Sequence, residues 1–188
     1  MTEVRLETFD AIDGYARIPT AFLVTSLLLP LPHDGAPSGF VLEERSAPSP
    51  FVKNYDAIPD NHPTDWPKHF DTAQWQLFSA FQGITRVGGA VAFVTPGTNA
   101  SDAPFAELWD LRVSPTSRRT GVGTAVFRAV QRWAADSGCG VVRIETQHIN
   151  VAACRFYERQ GCTLHSVRAG AYPDFPGEVR LIWYKTFS

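Results

Sequence analysis

The chain reads as an α+β fold, a mixed, mostly antiparallel central sheet flanked by helices, and three observations lead there. Residues 105–113 (FAELWDLRV) alternate as a strand, whereas Val122, Val126, Ala129, Val130 and Trp133 recur on one helical stripe. The hydrophobic period therefore changes from 2 to 3.6 across RRTGVG. A second strand, polar turn and helix follow before Gly161, and elsewhere alternating runs are many and helical ones few.

In chain order, Glu3 to Phe9 alternates as a first strand, and Asp10 to Arg17 reads as a short helix with Asp10 as its cap. Phe22 to Leu29 and Gly39 to Ser46 read as a strand pair around an exposed, proline-bearing loop from Pro30 to Ser38. Ala47 to Asp71 carries prolines at 48, 50, 59, 63 and 67 and sets Asp56, Asp60, Asp65 and Asp71 among Phe51, Tyr55, Trp66 and Phe70. A long aperiodic segment with aromatics is a candidate substrate loop, because acidic groups beside aromatic faces suit a cationic ligand. Gln74 to Gln82 and Arg86 to Thr95 form two strands around Gly83, with Gly88 and Gly89 marking a bulge. Asn99-Ala100-Ser101 fits a glycosylation pattern, which carries no weight without a secretory signal. Cys162 to Arg168 and Glu178 to Phe187 read as the last strands, around a loop holding Tyr172 and Asp174.

Length and composition bound the function. A chain of 188 residues suits one domain, 1–188, and can bury roughly 70% of its unfolded surface. With 17 basic and 19 acidic residues, a net charge of -2 and a pI near 6.2, it lacks the basic excess of a nucleic-acid binder. The expected partner is a small molecule. Cys139, Cys154 and Cys162 are odd in number and show no CxxC spacing, against a disulfide framework or a zinc site, and His33, His62, His69 and His165 show no metal spacing. The N-terminus has no secretory pattern, and the apolar run from Ala21 to Leu31 is broken and too short to span a bilayer. A cytoplasmic protein without membrane or nucleic-acid partners is expected; its apolar last strand could pair across a homodimer.

The turn between residues 113 and 122 carries the chemistry. A strand-to-helix turn aims main-chain N–H groups and the positive end of a helix dipole at one point, and glycines let a phosphate approach. Arg118-x-x-Gly121-x-Gly123 is neither the longer dinucleotide fingerprint nor a P-loop. By itself it is equally the pattern of an ordinary connection with solvated arginines. LRVSPTSRRTGVG as a whole resembles the acetyl-coenzyme A motif of the GNAT N-acetyltransferases. ETQHINVAACRFYERQG, LIWYKTF and GFVLEERSAPSPFVKNYD are similar to one branch of that family, the streptothricin acetyltransferases.

The resemblance implies the GNAT fold, acetyl-coenzyme A as cosubstrate, no metal, and acetyl transfer to an amine in a ternary complex. It places the pyrophosphate on Arg118, Arg119, Thr120, Gly121, Val122, Gly123 and Thr124. Pantetheine would lie along Leu111, Arg112 and Val113 as a pseudo-strand, with Asn150 and Ala153 also facing the cofactor. Asn150 reads equally as the cap of its helix. Tyr157 matches the family tyrosine facing the sulfur. A phenol with a pKa of about 10 is a weaker acid than a thiol near 8.5, so its contribution is a hydrogen bond as charge develops rather than full proton transfer.

The base is open among Glu107, Asp110 and Glu145. A lysine-like amine, with a pKa of about 10.4, is neutral in roughly one molecule in 2,500 at pH 7, so some carboxylate or water chain must take its proton. By alternation Glu107, Trp109 and Leu111 share one face, and Leu108, Asp110 and Arg112 the other. Trp109 stands where the streptothricin branch usually has Glu, a departure that bears on the acceptor. Glu145 and Tyr172 are substrate-side candidates, and His148 reads as a polar turn residue. The expected activity is acetylation of a primary amine on a small cationic molecule such as streptothricin. A peptide or polyamine acceptor, or a coenzyme A-binding module without catalysis, are the alternatives.

Overall fold

A computed structural model of the chain describes residues 1–97 and 103–187. The Asn99-Ala100-Ser101 tripeptide lies outside them. The elements are β1 (Glu3–Glu7), α1 (Ile12–Ala16), β2 (Phe22–Pro32), β3 (Phe40–Lys53), α2 (Trp66–His69), β4 (Gln76–Gln82), β5 (Thr85–Thr95), β6 (Phe105–Val113), α3 (Val122–Asp136), β7 (Val141–Gln147), α4 (Val151–Arg159), β8 (Thr163–Arg168) and β9 (Arg180–Thr186). The class is α+β, and β1 with β4, β4 with β5, β5 with β6, β2 with β3 and β8 with β9 all pair antiparallel. Among the described residues no helix is long and apolar enough to cross a membrane. The chain divides into two compact units, 1–21 with 54–142 and 22–53 with 143–188.

In the first unit the strands run β1-β4-β5-β6. Neighbours on β4 point to opposite faces, so Phe78 meets Trp133 of α3 edge-on at 5.7 Å, while Leu77 joins Ile12, Tyr15, Trp66 and Val91 on the other face. Helix α3 buries Val122, Val126, Phe127, Val130 and Ala134, each large side chain contributing about 1.5–3 kcal/mol. The buried stripe is turned slightly from the expected one, because Phe127 and Ala134 go fully inside while Ala129 and Trp133 stay half-buried.

Gly88 and Gly89 are needed for close approach. A Cβ on Gly88 would lie 2.8 Å from Val122 Cγ1, and one on Gly89 would lie 2.9 Å from the Tyr15 ring. Helix start and tyrosine thus press on neighbouring residues of β5 from its two faces. The expected bulge falls one residue earlier, where Ala80 pairs with Gly88 but Phe81 pairs with Arg86, leaving Val87 unmatched.

Three local expectations are corrected. Asp10 lies in a 3-10 turn, Phe9–Ala11, and α1 starts after Ala11 without a side-chain cap. The strand expected to end at Ser46 continues to Lys53, because Val24 pairs with Phe51 and Ser26 with Ser46, leaving 47–50 outside the ladder. Pro48 and Pro50 sit in that gap, where a missing N–H costs no ladder bond. The segment taken as one loop also contains α2, whose Trp66 is only 2% exposed.

The second unit holds the β2–β3 hairpin, α4 and strands β7, β9 and β8, with β9 between the other two. One inner polar link is Lys53 Nζ to Glu178 Oε1 at 2.5 Å, with the ammonium 3.5 Å from the Phe175 ring centre. His148 is buried rather than solvated. Its carbonyl accepts from Leu28 N at 2.9 Å, its N–H donates to Val179 O at 3.0 Å, and its Nδ1 accepts from Val179 N at 3.0 Å.

Candidate active site

The turn after β6 is held by its own short-range bonds. Ser114 N donates to Val87 O at 2.8 Å, Ser117 N to Ser114 O at 2.8 Å, Thr120 Oγ1 to Ser117 O at 2.7 Å and Arg118 Nε to Val113 O at 3.3 Å. Arg119 and Gly121 have φ of 64° and 91°, the left-handed values that reverse the chain before the helix. Helix α3 then begins at Val122 with no side chain capping it, its first bond running from Ala125 N to Gly121 O at 3.0 Å. Residues 118–121 are exposed, and a Cβ on Gly121 would meet nothing within 4 Å. Open main chain at a helix N-terminus can accept an anion.

The bulge in β6 changes which side chains share a face. Phe93 pairs with Glu107, Ala92 with Leu108 and Val91 with Asp110, so Trp109 has no residue opposite. Val91 and Phe93 are two apart on β5 and share a face; their partners Asp110 and Glu107 share it too. Trp109 lies there as well, its ring centre 5.1 Å from Trp75 and 6.0 Å from Phe93. Alternation had placed Glu107 and Asp110 on opposite faces. The extra residue shifts everything from Asp110 onward by one, so Arg112 keeps company with Glu107 and Leu111 goes to the other side.

Asp110 is engaged. Its Oδ2 accepts from Tyr15 at 2.8 Å and from Arg112 Nε at 2.6 Å. Arg112, only 4% exposed, also donates to Ile18 O and Asp56 Oδ1, each at 3.1 Å, and lies over the Tyr15 ring. Against the desolvation of burial, Asp110, Tyr15 and Asp56 still drive its pKa up. Among the cofactor candidates, then, Arg112 can offer only its main chain. Leu111 and Val113, half-buried, pair with Ala90 and Gly88 along one edge of β6. Glu107 is 8% exposed on the face that carries Trp109.

In the second unit the structure joins Glu145 to Tyr172. The phenol donates to Glu145 Oε1 at 2.8 Å and accepts from Gln147 Nε2 at 2.9 Å, and Arg180 Nε stands 3.8 Å from Glu145 Oε2. Burial first, and then Glu145, push the Tyr172 phenol far up, so it stays a donor. Asn150 caps α4, its Oδ1 accepting from Ala153 N at 3.2 Å. Tyr157 follows in the same helix, 6% exposed. The cysteines are buried: Cys154 is pushed up to about 11 and Cys162 to about 12, which keeps both protonated near neutral pH. Sequence reasoning missed Tyr15 and Arg180, and it put Asp56 in a substrate loop where the structure pairs it with Arg112; these partners are far away along the chain and leave no local spacing.

The model of the Acetyltransferase (GNAT) family matches residues 31–162, well over half of the chain. The chain belongs to the GNAT acetyltransferases. Streptothricin acetyltransferase A of Bacillus subtilis (strain 168) is 35% identical over 86 residues, 44% of this chain and 49% of that protein, so this GNAT chain spans about half the length of that relative in the match. Streptothricin acetyltransferase of Escherichia coli is 27% identical over 149 residues, 78% of this chain and 76% of that protein. Among solved structures, a Bacillus anthracis protein assigned as a streptothricin acetyltransferase and crystallised with acetyl coenzyme A has the same fold, with a TM-score of 0.78 at 22% identity over 100% of both chains.

Proposed function

We propose that this GNAT acetyltransferase moves the acetyl group of acetyl-coenzyme A to a primary amine of a small cationic molecule, with streptothricin-type amines as the first candidates. One observation carries the reading: the exposed, uncapped start of α3 behind Gly121. There Arg118 and Arg119 add positive charge, and the main chain of 120–124 would receive the pyrophosphate. Leu111 to Val113 would take the pantetheine amides as a pseudo-strand.

The amine nitrogen attacks the thioester carbonyl carbon, the C–S bond breaks, and an amide and a free thiol result. The proton lost by the amine goes to a carboxylate or through water, and the departing sulfur takes one in turn. Glu107, on the face that carries Trp109, is assigned to accept the amine proton, and Asp110 to hold Tyr15 and Arg112. The residue left out of the ladder at Trp109 frees main chain beside the expected thioester, a place for an N–H to polarise the carbonyl as it gains charge. Tyr157 is assigned the hydrogen bond to the leaving sulfur. Glu145 and Tyr172, already bonded to each other, are assigned to the acceptor.

The test is thiol release from acetyl-coenzyme A on an amine panel holding streptothricin, spermidine and a lysine-containing peptide. Release with streptothricin supports the reading in full. Release with spermidine or the peptide alone moves the acceptor elsewhere, and binding of acetyl-coenzyme A with no release on any amine would reduce the chain to a coenzyme A-binding module.

A further inference from the structure

We infer that Trp109 and the rings around it select the acceptor, and that the preferred amine carries an aromatic ring a short carbon chain away from its nitrogen. This rests on the acetyl-transfer reading above, and it puts aromatic monoamines in place of streptothricin-type amines as the preferred acceptors.

Five rings meet on one face of the first unit. Trp109 lies 5.1 Å from Phe70, 5.1 Å from Trp75, 6.0 Å from Phe93 and 6.2 Å from Trp66, and Trp75 stacks on Phe93 at 5.0 Å with the planes 16° apart. Trp66 is buried, yet Trp109 and Phe70 are 38% and 42% exposed. A core cluster would close over such rings. This one leaves open Trp109, the residue that the β6 bulge leaves without a partner on β5. Trp75 continues the apolar surface into an open groove that it shares with Phe9 and Pro67.

Placement ties this surface to the reaction. With pantetheine along 111–113, the thioester end falls next to the bulge, since a strand advances roughly 3.3 Å per residue. An acceptor approaching from the 107 side therefore crosses Trp109 first. Glu107, on the same face, supplies negative charge for an arriving ammonium, and tryptophan faces attract cations as well as rings. Indole at 109 supplies a flat apolar surface, so the ligand that fits is a monoamine with a ring rather than a hydrophilic polyamine.

The experiment compares 2-phenylethylamine with 1,5-diaminopentane on the full chain, by thiol release and by quenching of tryptophan fluorescence, for the wild type, Trp109→Glu and Trp109→Phe. Wild type should prefer phenylethylamine in kcat/KM by about tenfold or more, and Trp109→Glu should lose that preference. Trp109→Phe should retain most of it, and acetyl-coenzyme A should bind all three alike. Turnover of diaminopentane or streptothricin with no preference for phenylethylamine would overturn the aromatic acceptor and leave acetyl transfer intact. Saturable quenching by phenylethylamine, lost in Trp109→Glu but without thiol release on any amine, would keep the aromatic site and sink the transfer reading. Absence of both quenching and a ring preference would end the proposal.

Discussion

Tyr15 donates a hydrogen bond to Asp110 at 2.8 Å, on the same carboxylate oxygen that Arg112 reaches at 2.6 Å. Burial, reinforced by Asp110, raises the tyrosine pKa well above its usual value, so it donates at every ordinary pH. Tyr15→Phe removes one donor and leaves the ion pair, a loss of about 1–3 kcal/mol. Arg112→Met strips Asp110 and Asp56 of their shared cation in a buried place, at about 3–5 kcal/mol. Urea unfolding of the two variants should rank them in that order. A milder effect from Arg112→Met would mean that the network does not hold β6 to the 54–57 segment.

The same bonds separate two rival bases. If Glu107 takes the amine proton, Glu107→Gln should lower kcat by about 10²–10⁴ while leaving acetyl-coenzyme A affinity unchanged. Asp110→Asn should act mainly on stability, because that carboxylate is the anchor for Tyr15 and Arg112. Steady-state kinetics beside thermal unfolding reads both, and a catalytic loss confined to Asp110→Asn would exchange the roles.

Tyr157→Phe deletes only a hydroxyl from α4. As a hydrogen-bond donor to a leaving sulfur it would contribute in the transition state more than in binding, so turnover should slow with little change in cofactor affinity. Single-turnover kinetics with calorimetric binding checks this. An unaltered rate removes the tyrosine from the chemistry.

The legible parts of this chain were those whose physics is local. The change of hydrophobic period across RRTGVG located β6, the turn and α3, and the Asn150 cap announced α4, because each depends on neighbours a few residues apart. The bulge at Trp109 could not be read, since it is defined by the register against β5 and by nothing in FAELWDLRV itself. That one residue reassigned the faces of Asp110, Leu111 and Arg112. Tyr15 and Asp110, 95 residues apart, and Lys53 and Glu178, 125 apart, meet only through tertiary packing. His148 looked like a polar turn residue because its partners, Leu28 in β2 and Val179 just before β9, are distant along the chain.

Two glycines near the turn should fail for different reasons. Gly121 has a φ of 91° with open space around it, so Gly121→Val strains the backbone and fills the room left for a phosphate. Acetyl-coenzyme A affinity should fall much more than stability. Gly88→Ala puts a Cβ 2.8 Å from Val122 Cγ1 and 3.1 Å from Arg112 O, so it should push α3 off β5 and cost stability first. Calorimetric titration and thermal unfolding of both variants separate the two. Normal acetyl-coenzyme A binding by Gly121→Val would remove the turn as the anchor.

His148 should give the protein an acid-side weakness. Burial lowers its pKa below the ordinary 6.5, only partly offset by Glu178, and Nδ1 accepts from Val179 N, an arrangement that needs the ring neutral. Below pH 6.5 the unfolded chain binds a proton at this position that the folded chain resists, so stability falls as pH drops through that value and stops falling once the folded ring also protonates. The contribution is fully present above 6.5. Denaturant midpoints measured from pH 7.5 to 5 should therefore decline. In His148→Asn, whose side-chain oxygen can accept in place of Nδ1 without titrating, the decline over that interval should be shallower. Parallel profiles for the two proteins would place the acid sensitivity in other groups.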